Sequence, residues 1–379
     1  MKKSDKFRPE MPAFRQHRTK LVRKMRRQIF WQITCKAVRR ALCGVAFNYI
    51  TFPSEKKDVF MMHGKKLFAV LLPLVLTACT SAKPAQTETV WAMDTACTIS
   101  LHGGGVSETV SLLKTLDKTL DNYQEDSAIS RLNQSGTISG NDTIYQLVSE
   151  TAALQKRFGD SVDLTVGQLT ALWGITTDTP HVPTAAELEP VLKTISPDHV
   201  TAADGTVTLT DGAQLDCGAV GKGYSLDCVK EALDQSGTAG YGTVSMTSSI
   251  LCYGEKPDGK PFQIEIRDPS GDGTLGTVST DSCFLSTSGG YERYFIADDG
   301  KQYCHILDPK TGMPAESDLT TVTVFCDSGL QSDFLSTLIW LEGTEHLEEH
   351  LHAEDYQIVA QDQSGKLYVS DGLHFTPNA

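Results

Sequence analysis

Apolar residues between positions 106 and 123 recur at helical spacing, with Val110, Leu112, Leu113, Leu116 and Leu120 on one stripe. The spacing predicts an amphipathic helix over 106–123. A second follows over 143–158, with shorter ones over 187–196 and around 345–352. Gly221 to Leu233 reads as a helix entered through a glycine-rich loop, and Ser332 to Leu341 as another. Elsewhere the pattern suits strands. Residues 87–101 read as an opening strand, and 205–215 as a hairpin turning at Asp211-Gly212. Residues 241–325 are strand-rich, punctuated by Pro257-Asp258-Gly259, Pro269-Ser270-Gly271 and Asp298-Asp299-Gly300. The last strands fall near 356–359 and 367–369. Helices and strands mix without regular alternation, and no repeat period is visible. The pattern predicts an α+β fold of mixed, mostly antiparallel sheets with packed helices.

One apolar run does not belong to that fold. Residues 62–79 read MHGKKLFAVLLPLVLTAC. A short basic region, Lys65 and Lys66, precedes about ten apolar residues, too few for a membrane span of about twenty. Leu76-Thr77-Ala78-Cys79 then matches a bacterial lipobox, whose Cys79 receives the lipid and becomes the mature N-terminus. The expected organisation is an upstream extension over 1–60, a lipoprotein signal peptide over 61–78, a polar tether over 79–88 and one catalytic domain over 89–379. Translation then starts at Met61 or Met62. The expected location is the extracytoplasmic face of the cell membrane, held by the lipid.

Charge sharpens this division. Residues 1–60 hold 16 Lys and Arg against 4 Asp and Glu, leaving 18 basic and 43 acidic residues in the rest of the chain. A surface that acidic repels polyphosphate backbones, which argues against nucleic acid as a partner. An anionic ligand needs a metal ion or local donors to overcome the field. Seven cysteines follow Cys79, none in a CxxC pair, so neither a structural zinc site nor a tidy disulfide framework is indicated.

Three segments carry candidate chemistry. In LDCGAVGKGYSLD (215–227), Asp216 closes a strand, and Gly218, Gly221 and Gly223 let the backbone pass close to a ligand. The following helix points its N-terminal donors at that loop, a favourable place for phosphate, and Lys222 adds a positive charge. A plain strand–turn–helix needs the glycines too, and the spacing is not that of a P-loop. In STSGGYERYFIADDGKQYCHILDPKTGMP (286–314), His305 follows a strand that begins in a Ser/Thr/Gly loop and precedes a polar turn. In SDFLSTLIWLEG (332–343), Asp333 and Thr337 share a helix face beside Ser336, and their oxygens suit a hard cation. An ordinary polar helix start reads the same way.

Taken together and in order, these segments resemble the ApbE-like family of flavin transferases, the FAD:protein FMN transferases. MDTACTISL (93–101), LDNYQEDSAISRLN (120–133) and SVDLTVGQLTALWG (161–174) extend the resemblance over roughly 89–375. It implies an Mg²⁺-dependent enzyme, with Mn²⁺ as a substitute, that moves FMN from FAD to a Thr or Ser hydroxyl of a target flavoprotein and releases AMP. It places Met93, Tyr123, Ser161, Val162, Asp163, Asp216, Lys222 and Leu307 against FAD. It gives the metal to the Ala219 carbonyl, Asp333 and Thr337, and sets His305 near the reacting pyrophosphate. The implied acceptors are membrane redox subunits or exported FMN-binding proteins. An FAD pyrophosphatase using the same metal site, or a lipoprotein that only holds flavin, are the competing readings. Two departures stand out. Asp94 replaces the glycine of a Met-Gly-Thr strand, and Thr247-Ser248 replaces a Gly-Gly pair. Both add bulk where close approach to the flavin is expected, so restoring the glycines at 247 and 248 is expected to change FAD affinity.

Overall fold

A computed structural model describes residues 84–378, apart from positions 272 and 299. The upstream extension, the signal peptide and Cys79 lie outside the described residues. The chain opens with an antiparallel hairpin, β1 (Gln86–Ala92) and β2 (Thr95–His102). The expected single strand over 87–101 is therefore two. Met93 and Asp94 both take positive φ, 53° and 52°, and reverse the chain in two residues. β1 also starts inside the stretch read as a tether, because Thr87 and Glu88 pair with Ser100 and Ile99.

Helices α1 (Val106–Leu120), α2 (Ala128–Ser135), α3 (Asp142–Phe158), α4 (Gly167–Trp173) and α5 (Ala185–Leu192) come next, with β3 (Thr137–Ser139) between α2 and α3. Asn141 caps α3 by accepting from the Ile144 N–H at 3.0 Å. The helix expected over 187–196 runs instead over 185–192. It starts at a Thr184–Glu187 capping box.

β4 (Val200–Ala203) and β5 (Thr206–Leu209) make a hairpin with β3 on its far edge. Its turn is Asp204-Gly205, not the expected Asp211-Gly212. Both Asp-Gly pairs are left-handed, so turn chemistry alone does not choose between them. The strand pairing beyond each turn makes the choice. After Gly212 the chain peels away, with Gln214 bridging Val166 in parallel and the Asp216 N–H bonded to the Leu164 carbonyl.

α6 (Gly221–Ser236) leads into β6 (Tyr241–Met246), β7 (Ser249–Gly254), β8 (Phe262–Arg267), β9 (Thr274–Thr280) and β10 (Cys283–Ser288). A small hairpin, β11 (Tyr294–Ile296) and β12 (Gln302–Cys304), precedes β13 (Leu319–Cys326). The chain ends with α7 (Gly329–Glu342), α8 (Leu347–Leu351), β14 (Tyr356–Asp362), β15 (Leu367–Val369) and β16 (His374–Pro377).

The main sheet runs β1-β2-β6-β7-β10-β13-β14-β15, antiparallel throughout. Strand alternation sends successive residues to opposite layers. Leu251, Phe284, Val324 and Ile358 pack on the helix side. Cys252, Leu285, Phe325 and Val359 pack against the sheet β16-β9-β8. The fold is thus α+β, with α6 and α7 lying on the main sheet. All seven cysteines of this region are free thiols, so packing rather than cross-linking holds it.

Candidate active site

α6 and α7 cross where neither has a side chain. A Cβ on Gly223 would lie 2.0 Å from the Gly329 carbonyl oxygen, and one on Gly329 would lie 2.2 Å from that of Gly223. Only glycine at both positions permits this approach. Each helix then lends the other an aspartate. Asp227 of α6 accepts from the Gly329 N–H (2.8 Å), the Leu330 N–H (2.7 Å) and the Ser328 hydroxyl (3.2 Å) at the start of α7. Asp333 of α7 accepts from the Gly223 N–H at 2.6 Å, and α6 has no side-chain cap of its own. The exchange meets orphan donors at both N-termini and places negative charge at the favourable end of each helix. Burial pushes the Asp227 carboxyl up from its ordinary range, while the donors from α7 pull it back.

Asp333 is buried, 4% exposed, and its other oxygen accepts from the Ser249 hydroxyl at 2.6 Å. One turn later on α7, Ser336 and Thr337 both meet the Ser288 hydroxyl, at 2.9 and 3.1 Å. Ser249 begins β7 and Ser288 ends β10, and these neighbouring strands bring both serines to one rim of the main sheet. The Ala219 carbonyl lies just before α6, and no backbone N–H of the described residues bonds to it. Carboxylate, hydroxyl and carbonyl oxygens form a hard donor set that fits Mg²⁺ or Mn²⁺. Each Asp333 oxygen accepts one bond and keeps lone-pair capacity for a cation. Among the described residues, no group of three or more His, Cys, Asp or Glu side chains forms a metal cage. A cation here must rely on one carboxylate with neutral oxygens, and Ser336 offers a hydroxyl where a second acid would strengthen the site.

The same turn of α6 reaches a second group. Lys222 makes no ion pair among the described residues, and its ammonium acts on both Cys97 and His305. His305 follows β12. Its Nδ1 lies 3.1 Å from the Arg293 carbonyl, which also accepts the His305 backbone N–H at 3.0 Å. A carbonyl only accepts, so Nδ1 carries the proton and Nε2 keeps the lone pair. Burial, then the charges of Lys222 and Arg293, push the imidazole down to about 4, so it is neutral at physiological pH.

Asp216 gathers a third group. It accepts from the Thr170 hydroxyl (2.8 Å), the Asn122 amide (3.2 Å) and the Gly218 N–H (2.7 Å). Tyr123 stands beside it, largely exposed, with its hydroxyl 3.2 Å from that of Thr176. This cluster offers an aromatic face and polar edges suited to a heterocycle.

Not every candidate joins these groups. The Asp163 carboxylate turns back on its own segment, accepting from the Thr165 N–H and hydroxyl at 2.8 Å. The Val162 carbonyl is taken by the Gln155 amide, and the Ser161 side chain has no hydrogen bond among those described. These three residues abut Asp216 through the Leu164 carbonyl. Leu307 packs with Leu169, Trp173 and Tyr303 in a small separate core. Met93 sits in the β1–β2 turn, its N–H donating to Asp117 at 2.6 Å.

The two departures prove to be conformational. Asp94 (φ 52°) and Thr247 (φ 64°) stand in left-handed turn positions that glycine fills at least cost. Thr247 is exposed and its hydroxyl meets that of Thr95 at 2.7 Å, joining two hairpin tips. Ser248 contributes its carbonyl to the Thr287 N–H at 2.8 Å. Ser249, Ser288, Asp227, Asn122, Thr170 and Arg293 were not singled out from the sequence. Asp227 lies inside the 215–227 motif, Ser288 and Arg293 inside 286–314, Asn122 inside 120–133 and Thr170 inside 161–174, but only the tertiary contacts give each its role.

A model of the ApbE family matches residues 93–360. The FAD:protein FMN transferase of Vibrio cholerae is 30% identical over 274 residues, covering 69% of this chain and 81% of that protein. That of Salmonella typhimurium is 28% identical over 270 residues, covering 67% and 76%. Among solved structures, the ApbE protein of Thermotoga maritima superposes with a TM-score of 0.70 at 26% identity, over 76% of this chain and 97% of that one. The apo flavinyl transferase ApbE of Pseudomonas stutzeri gives 0.67 at 27% identity, over 76% and 96%.

Proposed function

This chain belongs to the ApbE family, and we propose that it transfers FMN from FAD to a Ser or Thr hydroxyl of another protein, releasing AMP. The observation that carries the reading is the convergence on one turn of α6. The Gly223 N–H holds Asp333, and the adjacent Lys222 acts on His305. A module that only stored flavin has no need of a buried carboxylate and a cation on one helix turn with a neutral imidazole within that cation's electrostatic reach.

The chemistry follows from charge and geometry. Lys222 and the N-terminal turn of α6 attract the FAD pyrophosphate into an otherwise acidic protein. Asp333, Thr337 and the Ala219 carbonyl would hold Mg²⁺. When bound, the ion would supply charge neutralisation at the phosphoryl oxygens. His305 presents Nε2 as a proton acceptor. A value near 4 makes it a weak base in the free enzyme. An anion beside Lys222 raises that value toward the working pH, so the base strengthens when FAD is in place. The Asp216–Tyr123 cluster suits the adenine end. The acceptor protein brings the attacking hydroxyl.

The ordered Lys65-to-Cys79 pattern supports attachment to the membrane through a lipid on Cys79, facing the compartment of exported flavoproteins. Mass spectrometry of the native N-terminus tests this, and an unmodified Cys79 would refute it. For the activity, the protein is incubated with FAD, Mg²⁺ and an FMN-binding acceptor domain, and the acceptor is weighed intact. One covalent FMN is expected, lost on adding EDTA or in Asp333→Ala. Labelling that persists in excess EDTA would remove the metal from the account.

A further inference from the structure

We propose that Arg293, gripped by Asp94, is a positioning residue that fixes the orientation and tautomer of His305. The inference rests on the transfer reaction assigned above.

Arg293 is held at both ends. Its guanidinium donates to the Asp94 carboxylate at 2.6 Å and to the Asp94 backbone carbonyl at 2.7 Å. Its own carbonyl receives the His305 N–H and Nδ1 at 3.0 and 3.1 Å. One residue thus links the β1–β2 turn to the imidazole. The backbone half continues the β11–β12 ladder, in which Tyr294 pairs with Cys304. The ladder N–H bond survives a side-chain change, whereas the Nδ1 contact to the same carbonyl depends on how firmly the segment entering β11 is held. The side-chain half is lost, and it decides whether that segment is fixed or free to swing with the ring.

An exposed ion pair usually contributes little. Asp94 is 67% and Arg293 41% exposed, so the pair is not expected to carry much stability. A forked contact to two acceptors on one residue constrains direction, however, even where the energy is small. The turn supports it. Asp94 is left-handed at φ 52°, a conformation that aspartate tolerates better than most residues. Glycine suits that backbone better and would keep the carbonyl contact, but it has no carboxylate. The aspartate therefore exchanges turn preference for a grip on Arg293. The charged groups acting on the imidazole are Lys222 from α6 and Arg293 itself, and Asp94 partly neutralises the latter.

The test uses the full catalytic chain and two readouts. ¹⁵N NMR of histidine side chains, with His305 assigned through His305→Gln, reports tautomer and titration without any turnover. Transfer kinetics report function. In the parent protein, His305 is expected as the Nδ1–H tautomer. In Arg293→Met, the signal should become a tautomer mixture and titrate at higher pH. The kcat should fall about tenfold or more while the KM for FAD stays within about twofold, the pattern of a misplaced base and not of lost binding. Asp94→Gly, which suits the turn and guards against a misfolded arginine variant, should give part of the tautomer mixing and part of the kcat loss, while His305 titrates at lower pH because Arg293 loses its neutralising carboxylate. The double variant should be no worse than Arg293→Met, because the two residues act as one unit. An unchanged His305 spectrum in both single variants overturns the proposal, even if activity falls. Additive losses also overturn it. If the parent protein transfers no FMN, the assigned reaction fails, and the NMR readout still decides the positioning.

Discussion

The two halves of this site are built by opposite means. At the α6–α7 crossing, glycine meets glycine, two aspartates are exchanged between helix ends, and Asp333 is buried with a donor on each oxygen. At the hairpin rim, exposed Asp94 and Thr247 and half-buried Arg293 are turn and loop residues held by polar contacts between side chains. The first half is over-determined, because no neighbour can move without unfilling the core. The second is tied by few bonds and can be retuned one residue at a time. A carboxylate meant for a cation needs the first kind of support. A base that must meet a second protein can use the second.

The crossing is the most sensitive point. Gly223→Ala puts a methyl about where the Gly329 carbonyl stands, and backbone cannot rotate away as a side chain can. We expect a loss of about 3–5 kcal/mol or failure to fold, read by chemical denaturation. A stable, active Gly223→Ala protein would mean that the helices are not in this register.

Acid should expose the second half. Because His305 is held well below its ordinary value of 6.5, at about 4, the folded state resists a proton that the unfolded chain accepts. Its contribution is intact above about pH 6.5 and is lost as pH falls toward about 4. His305→Gln should flatten the stability curve in that window by on the order of 1–3 kcal/mol relative to the parent. Parallel curves would mean that the imidazole titrates normally.

Smaller effects sharpen the contrast. Asp227→Asn keeps the shape but weakens the cap on α7, and should cost about 1–2 kcal/mol. It should also lower transfer activity by tilting Asp333, and melting and kinetics on the same sample check both. Thr247→Gly should do least. It relieves a left-handed β-branched residue but loses the Thr95 bond and loosens the unfolded chain. The net change should stay within about 1 kcal/mol. FAD affinity should not change, contrary to what the glycine-pair comparison suggests on sequence alone. A shift in FAD fluorescence titration would return Thr247 to the flavin pocket.

How far the sequence could be read depends on the range of the interactions. That Asp333 and Thr337 share one face of α7 was legible because i, i+4 on a helix is local, though their role as a metal site came only from the family resemblance, and the 3.6-residue stripe gave α1, α3, α6 and α7 to within a few residues at most ends. The 215–227 loop was legible because its glycines announce close approach. Asp227 sat in that motif without a role, since its partners at 328–330 lie about a hundred residues away. Ser249, Ser288 and Arg293 acquire meaning only from strand register and loop docking. The misplaced Asp-Gly turn has the same cause. Two identical dipeptides with the same left-handed backbone differ only in whether a partner strand comes next.

If transfer is coupled, its stoichiometry is fixed. With FAD, Mg²⁺ and an acceptor domain, AMP released and flavin attached to the acceptor are measured in the same reaction over time. The two should rise together, one for one, and both should vanish in Asp333→Ala. AMP that accumulates while the acceptor stays unmodified would contradict it and make the protein a pyrophosphatase.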